Sequence, residues 1–301
     1  MPASRDVAQY LRGAACGLAA VCIWSGWIVV ARLGLRSSLT PWDIAALRFA
    51  VAGALLLPLV ITRGLAIDRL GWMGLAAVVL GGAAPVFLAN TGLLFAPAAH
   101  AGALFPGVMP LMVALLAAMV LGEPFTRAKQ IGFALILPGV LAITLGSGGE
   151  LGSLQNLGHA LFLGAGLAWA FYTVAMRRAR LDGLHAAAIS AVGSALLYQP
   201  LYSALPTSIA QASWFDIGLQ AFVQGILTAI ISLMLYGKAV SILGASSGAA
   251  FAALSPAMTA LMAIPVLGEW PQGHDWAAIV LISAGVYIVS GGPLPRWLQR
   301  T

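Results

Sequence analysis

The sequence predicts an all-α polytopic membrane protein, with ten transmembrane helices forming two inverted five-helix repeats around a central cavity. Three observations carry that prediction. Of 301 residues, 61% are hydrophobic and only 8% charged, too few charges for the water-facing shell of a soluble domain. The apolar runs are long and lack the alternation of strands, and in lipid a backbone that must satisfy itself internally forms helices. The second half of the chain also repeats the sequence pattern of the first.

At about 20 residues per span, helices are expected near 13–33, 42–62, 70–92, 97–121, 128–146, 157–176, 184–205, 214–236, 244–268 and 275–292. Charges and turn formers mark the breaks: Arg36 to Pro41, Arg63 to Asp68, Glu123 to Lys129, Ser147 to Asn156, Arg177 to Gly183, Pro206 to Ser213 and Glu269 to Asp275. The organisation expected is an N-terminus over 1–12, a first repeat over 13–146, an external linker over 147–156, a second repeat over 157–292 and a C-terminus over 293–301. The first apolar run imitates a signal peptide, but its length and its Trp24 and Trp27 mark it as a retained span.

The formal charge of +6 comes from basic residues scattered singly between apolar runs, without the stripe that nucleic acid would require. With both termini cytoplasmic, inner segments collect Arg5, Arg12, Arg63, Arg69, Arg127, Lys129, Arg177, Arg178, Arg180, Lys238, Arg296 and Arg300, while outer segments keep Arg32 and Arg36. The positive-inside rule therefore selects that orientation, in a membrane expected to be the bacterial inner membrane. Trp42, Trp72, Trp214, Trp270 and Trp276 sit near span ends, as interfacial anchors do. Cys16 and Cys22 lie inside the first run, where they read as small apolar residues.

Gly102, Pro110, Leu121, Gly122 and Glu123 recur as Gly248, Pro256, Leu267, Gly268 and Glu269, each 146 residues on, and Trp24 and Arg32 recur as Trp169 and Arg177 at 145. Five spans per unit is odd, so the second unit enters the membrane with opposite orientation. Inverted repeats are a device of secondary transporters, because the pseudo-two-fold relation brings inward-open and outward-open states close in energy. Duplication in a membrane protein that moves nothing is the plain alternative.

The paired fourth and ninth spans, "AGALFPGVMPLMVALLAAMVLGEP" and "SGAAFAALSPAMTALMAIPVLGEW", each ending Leu-Gly-Glu, and Arg48 behind a Pro-Trp-Asp start to span two, resemble the ten-helix EamA-type members of the drug/metabolite transporter superfamily. The resemblance covers essentially the whole chain. It implies a carrier of amino acids, other small metabolites, nucleotide sugars or drugs, working by alternating access between lipid-embedded helices. It also implies that spans five and ten are peripheral or support homodimer contacts.

Arg48 is read as the only charge well inside a span, able to hold a substrate carboxylate or to tie helix carbonyls together. Trp24, Trp27, Trp169, Tyr172 and Tyr236 are candidates for a cavity wall, or simply for filling gaps between helices. Asn90 occupies the repeat position of Tyr236. Gln220, Gln224, Thr228 and Ser232 recur every four residues on one face of span eight, and Ser247 joins them as a cavity candidate. His100, read as the one membrane-embedded histidine, is a candidate for carrying a proton, for gating, or for interhelical hydrogen bonding. Pro85, Pro106, Pro110, Pro256 and Pro265 are candidate bends or gates. Glu123 and Glu269 read as helix ends.

All nine acidic residues fall near span ends or in loops, which predicts no buried carboxylate and so a neutral or zwitterionic substrate. Gly244-Ala-Ser-Ser-Gly248 matches the nucleophile-elbow pattern without the strand, acid and histidine that it needs. Nothing in the sequence calls for catalysis, a cofactor or a metal. Amino-acid export is the leading expectation; a multidrug exporter, a membrane enzyme or flippase, and a non-transporting sensor or assembly factor are the competitors.

Overall fold

A computed structural model describes residues 2–146, 153–244 and 251–290, the side chains from residue 8 onward. Ten helical segments run through the described residues, and they follow the expected spans. They are α1 (Pro2–Ser37), α2 (Pro41–Arg63), α3 (Ile67–Gly92), α4 (Ala98–Leu121), α5 (Arg127–Gly146), α6 (Leu154–Arg178), α7 (Gly183–Tyr202), α8 (Trp214–Leu243), α9 (Ser255–Leu267) and α10 (Gly273–Val289). Seven of them, α1 to α6 and α8, are long and apolar enough to cross a bilayer. The helix α7 and the shorter α9 and α10 complete the set.

Local chemistry sets the ends. Thr40 caps α2 in a reciprocal box with Asp43, followed by Pro41 at the first turn, where a missing N–H costs nothing. Ser153, Asp182 and Ser213 cap α6, α7 and α8 through side-chain oxygens. Gly122 and Gly268 end α4 and α9 in the left-handed conformation that glycine takes without steric cost, so the matching Leu-Gly-Glu runs are matching stops.

The two repeats do not sit side by side. Each principal packing joins one half to the other: α1 with α8, α3 with α6, α2 with α7, and α5 with α10. The pattern also holds under exchange of the halves, since α1 on α9 mirrors α6 on α4, and α2 on α8 mirrors α7 on α3. Glycine permits the closest approaches. A Cβ on Gly92 would meet the Phe162 ring at 2.6 Å, and one on Gly285 would lie 2.8 Å from the Gly132 carbonyl.

Two helices are irregular. In α4 the regular α-helix is interrupted by turns at residues 105–108, between Ala98–Leu104 and Met109–Leu121. Pro106 lacks a donor there, and Pro110 starts the second piece. Pro256 takes the equivalent place at the start of α9. Pro85 and Pro265, by contrast, lie within helices that continue through them. In α8 the stretch Ala221–Ile231 is π-helical, with the Thr228 hydroxyl donating to Val223 O five residues back at 2.8 Å.

Differences from the sequence expectation concern ends. α1 reaches Ser37, a full turn past 33, because its last turns are held by Glu269 rather than by lipid. α8 runs to Leu243 instead of 236, carrying Lys238 on its final turns. Ser247, Gly248, most of the 147–156 linker and the 293–301 tail lie outside the described residues.

Candidate functional site

The ends of the bundle are named here from the chain: the near end holds the start of α1, the far end its finish. Between them, α1 and α8 run antiparallel and are stitched by the polar stripe of α8. The Trp24 indole N–H donates to Ser232 Oγ at 2.9 Å, Gln224 donates to Trp27 O at 3.4 Å, and Gln220 donates to Val30 O at 2.6 Å. Gln220, Gln224, Thr228 and Ser232 are all buried, as a polar face in lipid must be. The two glutamines and Ser232 each bond to α1, while the Thr228 and Ser232 hydroxyls also donate back to carbonyls of α8.

Arg48 reaches this seam from α2. Its guanidinium donates to Gln224 Oε1 at 3.3 Å and lies over the Trp27 ring, 5.6 Å from the centroid. It has no ion-pair partner among the described residues. Trp24 packs against Tyr236 with ring centroids 5.0 Å apart, and Trp169 against Tyr172 at the same spacing. The structure thus brings Trp24, Trp27, Arg48, Gln220, Gln224 and Tyr236 into one neighbourhood across α1, α2 and α8, while Trp169 and Tyr172 form a second aromatic pair on α6. Asn90 is fully buried on α3, and neither side-chain amide atom has a partner among the described residues. A cleft of about 420 Å³ opens at the near end between α3, α4 and α6, lined by Arg69, Met73, Leu116, Phe171 and Arg178 among others. None of the sequence-derived candidates lines it.

Ion pairs close the ends, and at each end an arginine of one repeat meets a glutamate of the other. At the far end Glu269 Oε1 takes Arg32 Nε at 3.0 Å and Arg36 at 2.5 Å, while its Oε2 accepts the Ala98 N–H at 2.8 Å. Arg32 also donates to Leu93 O, and Arg36 to Leu267 O. One carboxylate therefore ties together α1, the start of α4 and the end of α9. At the near end the repeat mates meet: Arg177 lies 3.4 Å from Glu123, which also has Lys129 at 3.8 Å. The far-end carboxylate is 12% exposed and the near-end one 33%. The far end is latched and the near end loosely held.

Three expectations are corrected. Buried carboxylates exist: Asp43 is fully buried and Asp275 nearly so, because neighbouring helices cover the span ends on which they sit. Asp43 is saturated by Thr40, Tyr202, Thr207 and the Ser208 N–H, which anchors α2 to the α7–α8 connection. Arg48 is also not the only charge inside a helix, since the longer α1 embeds Arg32 at 19% exposure. His100 is not alone either: His159 and His185 are buried, and His100 bonds to His159 at 2.9 Å and to Asp275 at 3.1 Å. His185 is a plain structural contact, bonded to Gly64 O at 2.9 Å.

Comparison with known proteins places this architecture. Residues 11–145 and 156–291 each match the EamA-like transporter family. An "Uncharacterized transporter YyaM" of Bacillus subtilis (strain 168) is 29% identical over 268 residues, covering 84% of this chain and 85% of that one. A "Probable terminal-alkyne amino-acid exporter" of Streptantibioticus cattleyicolor is 28% identical over 284 residues, with 92% of each chain covered. A solved crystal structure superposes with a TM-score of 0.59 at 20% identity over 92% of this chain and 95% of that one, a likeness of fold. Two family matches tiling a ten-helix chain, each holding five spans, show what the cross-repeat packing is for: the chain belongs to the EamA-like transporter family and is a polytopic membrane transporter.

Proposed function

We propose that the transporter exports amino acids or amino-acid-like metabolites across a bacterial cytoplasmic membrane by alternating access, with the near end cytoplasmic. The observation that carries the substrate class is Arg48. A guanidinium inside a helical bundle is costly unless an anion or a hydrogen-bond cage compensates it, and among the described residues its polar partners are one amide oxygen and one aromatic face. A substrate carboxylate is the group that would complete it, by a charge-assisted, bidentate contact. The Trp24–Tyr236 pair beside it offers apolar and aromatic surface to a side chain. The similarity to a relative named as an amino-acid exporter supports the same class.

The two Arg–Glu pairs would act as alternating latches. With Arg32–Glu269 closed and Arg177–Glu123 loose, the structure corresponds on this reading to a carrier shut to the outside and readier to open inward. The excess of basic residues at the near end supports the orientation.

The test is counterflow in proteoliposomes with labelled amino acids, their decarboxylated amines and lipophilic cations. Exchange is expected for amino acids and not for the matching amines, and it should fall about a hundredfold or more in Arg48→Ala, as for loss of a charge-assisted contact. Exchange of amines or cations at the same rate as amino acids would assign the carrier to drugs instead.

A further inference from the structure

A second polar cluster lies at the far end, apart from Arg48, on the first two turns of α4, α6 and α10. His100, His159 and Asp275 are 4%, 1% and 4% exposed. Their hydrogen bonds form a chain whose proton positions follow from its terminus. The Asp275 carboxylate only accepts, and it is held by the Gln272 N–H on Oδ2 at 2.8 Å. The His100 ring nitrogen facing it, Nε2, therefore carries the hydrogen and donates at 3.1 Å. That leaves a lone pair on His100 Nδ1, which accepts from His159 Nε2–H at 2.9 Å, with the Gln155 amide at 3.5 Å on the same atom. A neutral imidazole has one N–H, so His159 Nδ1 bears a lone pair. That nitrogen is buried and meets no donor among the described residues.

A buried basic nitrogen without a donor, wired to a carboxylate through a second imidazole, is an acceptor for a proton. Adding H⁺ to His159 Nδ1 breaks no bond, and the imidazolium formed is balanced through His100 by the Asp275 charge. His274 is one-third exposed, and its Nε2 lies 3.3 Å from Asp275 Oδ1, so the carboxylate end of the chain is the end nearer water.

The cluster is not repeated in the other half of the sequence. At the repeat-related places Asp275 corresponds to Lys129 and His159 to Ala14, while His100 corresponds to Ser246, outside the described residues. The repeat-related positions therefore carry no histidine and no carboxylate. The far-end cluster also shares the first turn of α4 with the latch, since Ala98 N–H goes to Glu269 and the His100 side chain to Asp275.

We propose that the His159–His100–Asp275 chain is a proton-binding site that couples the carrier to the proton gradient, one H⁺ entering from the outer water as substrate leaves. It rests on the transport reading and the orientation given above, and adds the coupling ion. Other charged groups on the helices packed round the chain are Arg32, Arg36 and Glu269 at the far end, two guanidiniums sharing one carboxylate. Asp68, Arg69, Arg127, Lys129, Arg177 and Arg178 lie at the opposite ends of α3, α5 and α6.

The test has two readouts. In ¹⁵N-histidine-labelled protein in lipid nanodiscs, His159 is expected to pass from neutral toward doubly protonated imidazole as the pH falls from about 8 to about 4, and this transition should be missing in His159→Gln. The glutamine amide keeps a donor toward His100 while removing the titrating lone pair. In proteoliposomes with the amino-acid panel, pH-gradient-driven net transport should fall about tenfold or more in His159→Gln, while counterflow stays within about twofold of wild type. Histidine signals unchanged across that range, or gradient-driven transport at the wild-type rate in His159→Gln, would overturn the proposal. A His159 that titrates in a protein exchanging no panel amino acid upholds the proton site and removes the amino-acid reading, so the two fail separately.

Discussion

The two ends of the transporter are built from repeat-related residues, Arg32 with Glu269 and Arg177 with Glu123, yet they are held differently. At the far end Glu269 is covered and receives two guanidiniums and a backbone N–H, and both arginines continue to helix carbonyls. At the near end Glu123 has longer contacts, to Arg177 and Lys129, and more water around it. The same residue types at the same repeat positions thus give a locked junction in one environment and a screened surface pair in the other. What differs is burial and the count of charge-assisted bonds, the two quantities that set the worth of an ion pair.

The contrast can be broken most severely at Glu269. In Glu269→Gln, Arg32 and Arg36 lose their common carboxylate and α4 loses part of its N-terminal cap. Stripping a covered pair of one member costs ~3 kcal/mol or more, so exchange should fall by about two orders of magnitude. Glu269→Asp should recover part of it if charge is what matters, and wild-type exchange in Glu269→Gln would show that the junction is not a latch. The matching change Glu123→Gln removes an exposed pair worth ~1 kcal/mol at most, so exchange should change by about fivefold or less. A larger loss there than in Glu269→Gln would reverse the assignment of tight and loose ends.

Salt should give the smallest effect. Raising ionic strength from about 0.1 to 1 M shortens the screening length from about 10 to about 3 Å, which weakens exposed pairs far more than covered ones. Thiol labelling of a cysteine placed at Val120, on the near-end cleft, should therefore rise modestly with salt. Labelling of one placed at Leu94, at the far end, should stay constant. Equal responses would mean that the ends are equally open to water.

Most of the fold was legible because lipid imposes it. Length, hydropathy and the 146-residue repeat locate the helices, and Gly122 and Gly268 end α4 and α9 where the motif places them. The exposed Trp72, Trp214 and Trp270 sit at helix ends as expected. The site was less legible, for an identifiable reason. Periodicity assigns a residue to a face of its own helix and says nothing about which other helix meets that face. So Gln220 and Gln224 read as cavity lining, whereas much of their capacity goes to the α1 backbone.

Glu123 and Glu269 read as helix stops because their arginine partners lie in the opposite repeat. A usable signal was present. With the N-terminus inside, topology puts Arg32 and Glu269 at one surface and Arg177 and Glu123 at the other, in mirrored order. It likewise brings His100, His159 and Asp275 to the far end, on the first two turns of three helices. Scoring charges by membrane side as well as by span would have found both sets.

The interlocking of the halves bears on how the chain is made. α1 finds its main neighbour only when α8 has been synthesised, and the Trp24–Ser232 bond spans 208 residues. At a synthesis rate of about 5–20 residues per second, α1 waits roughly 10–40 s in the bilayer or its insertion machinery before the polar groups of α8 arrive. During that interval Arg32 also lacks Glu269. Biogenesis therefore passes through a state with the first five helices inserted and their cross-repeat partners unborn, when the nascent protein is most exposed to quality control.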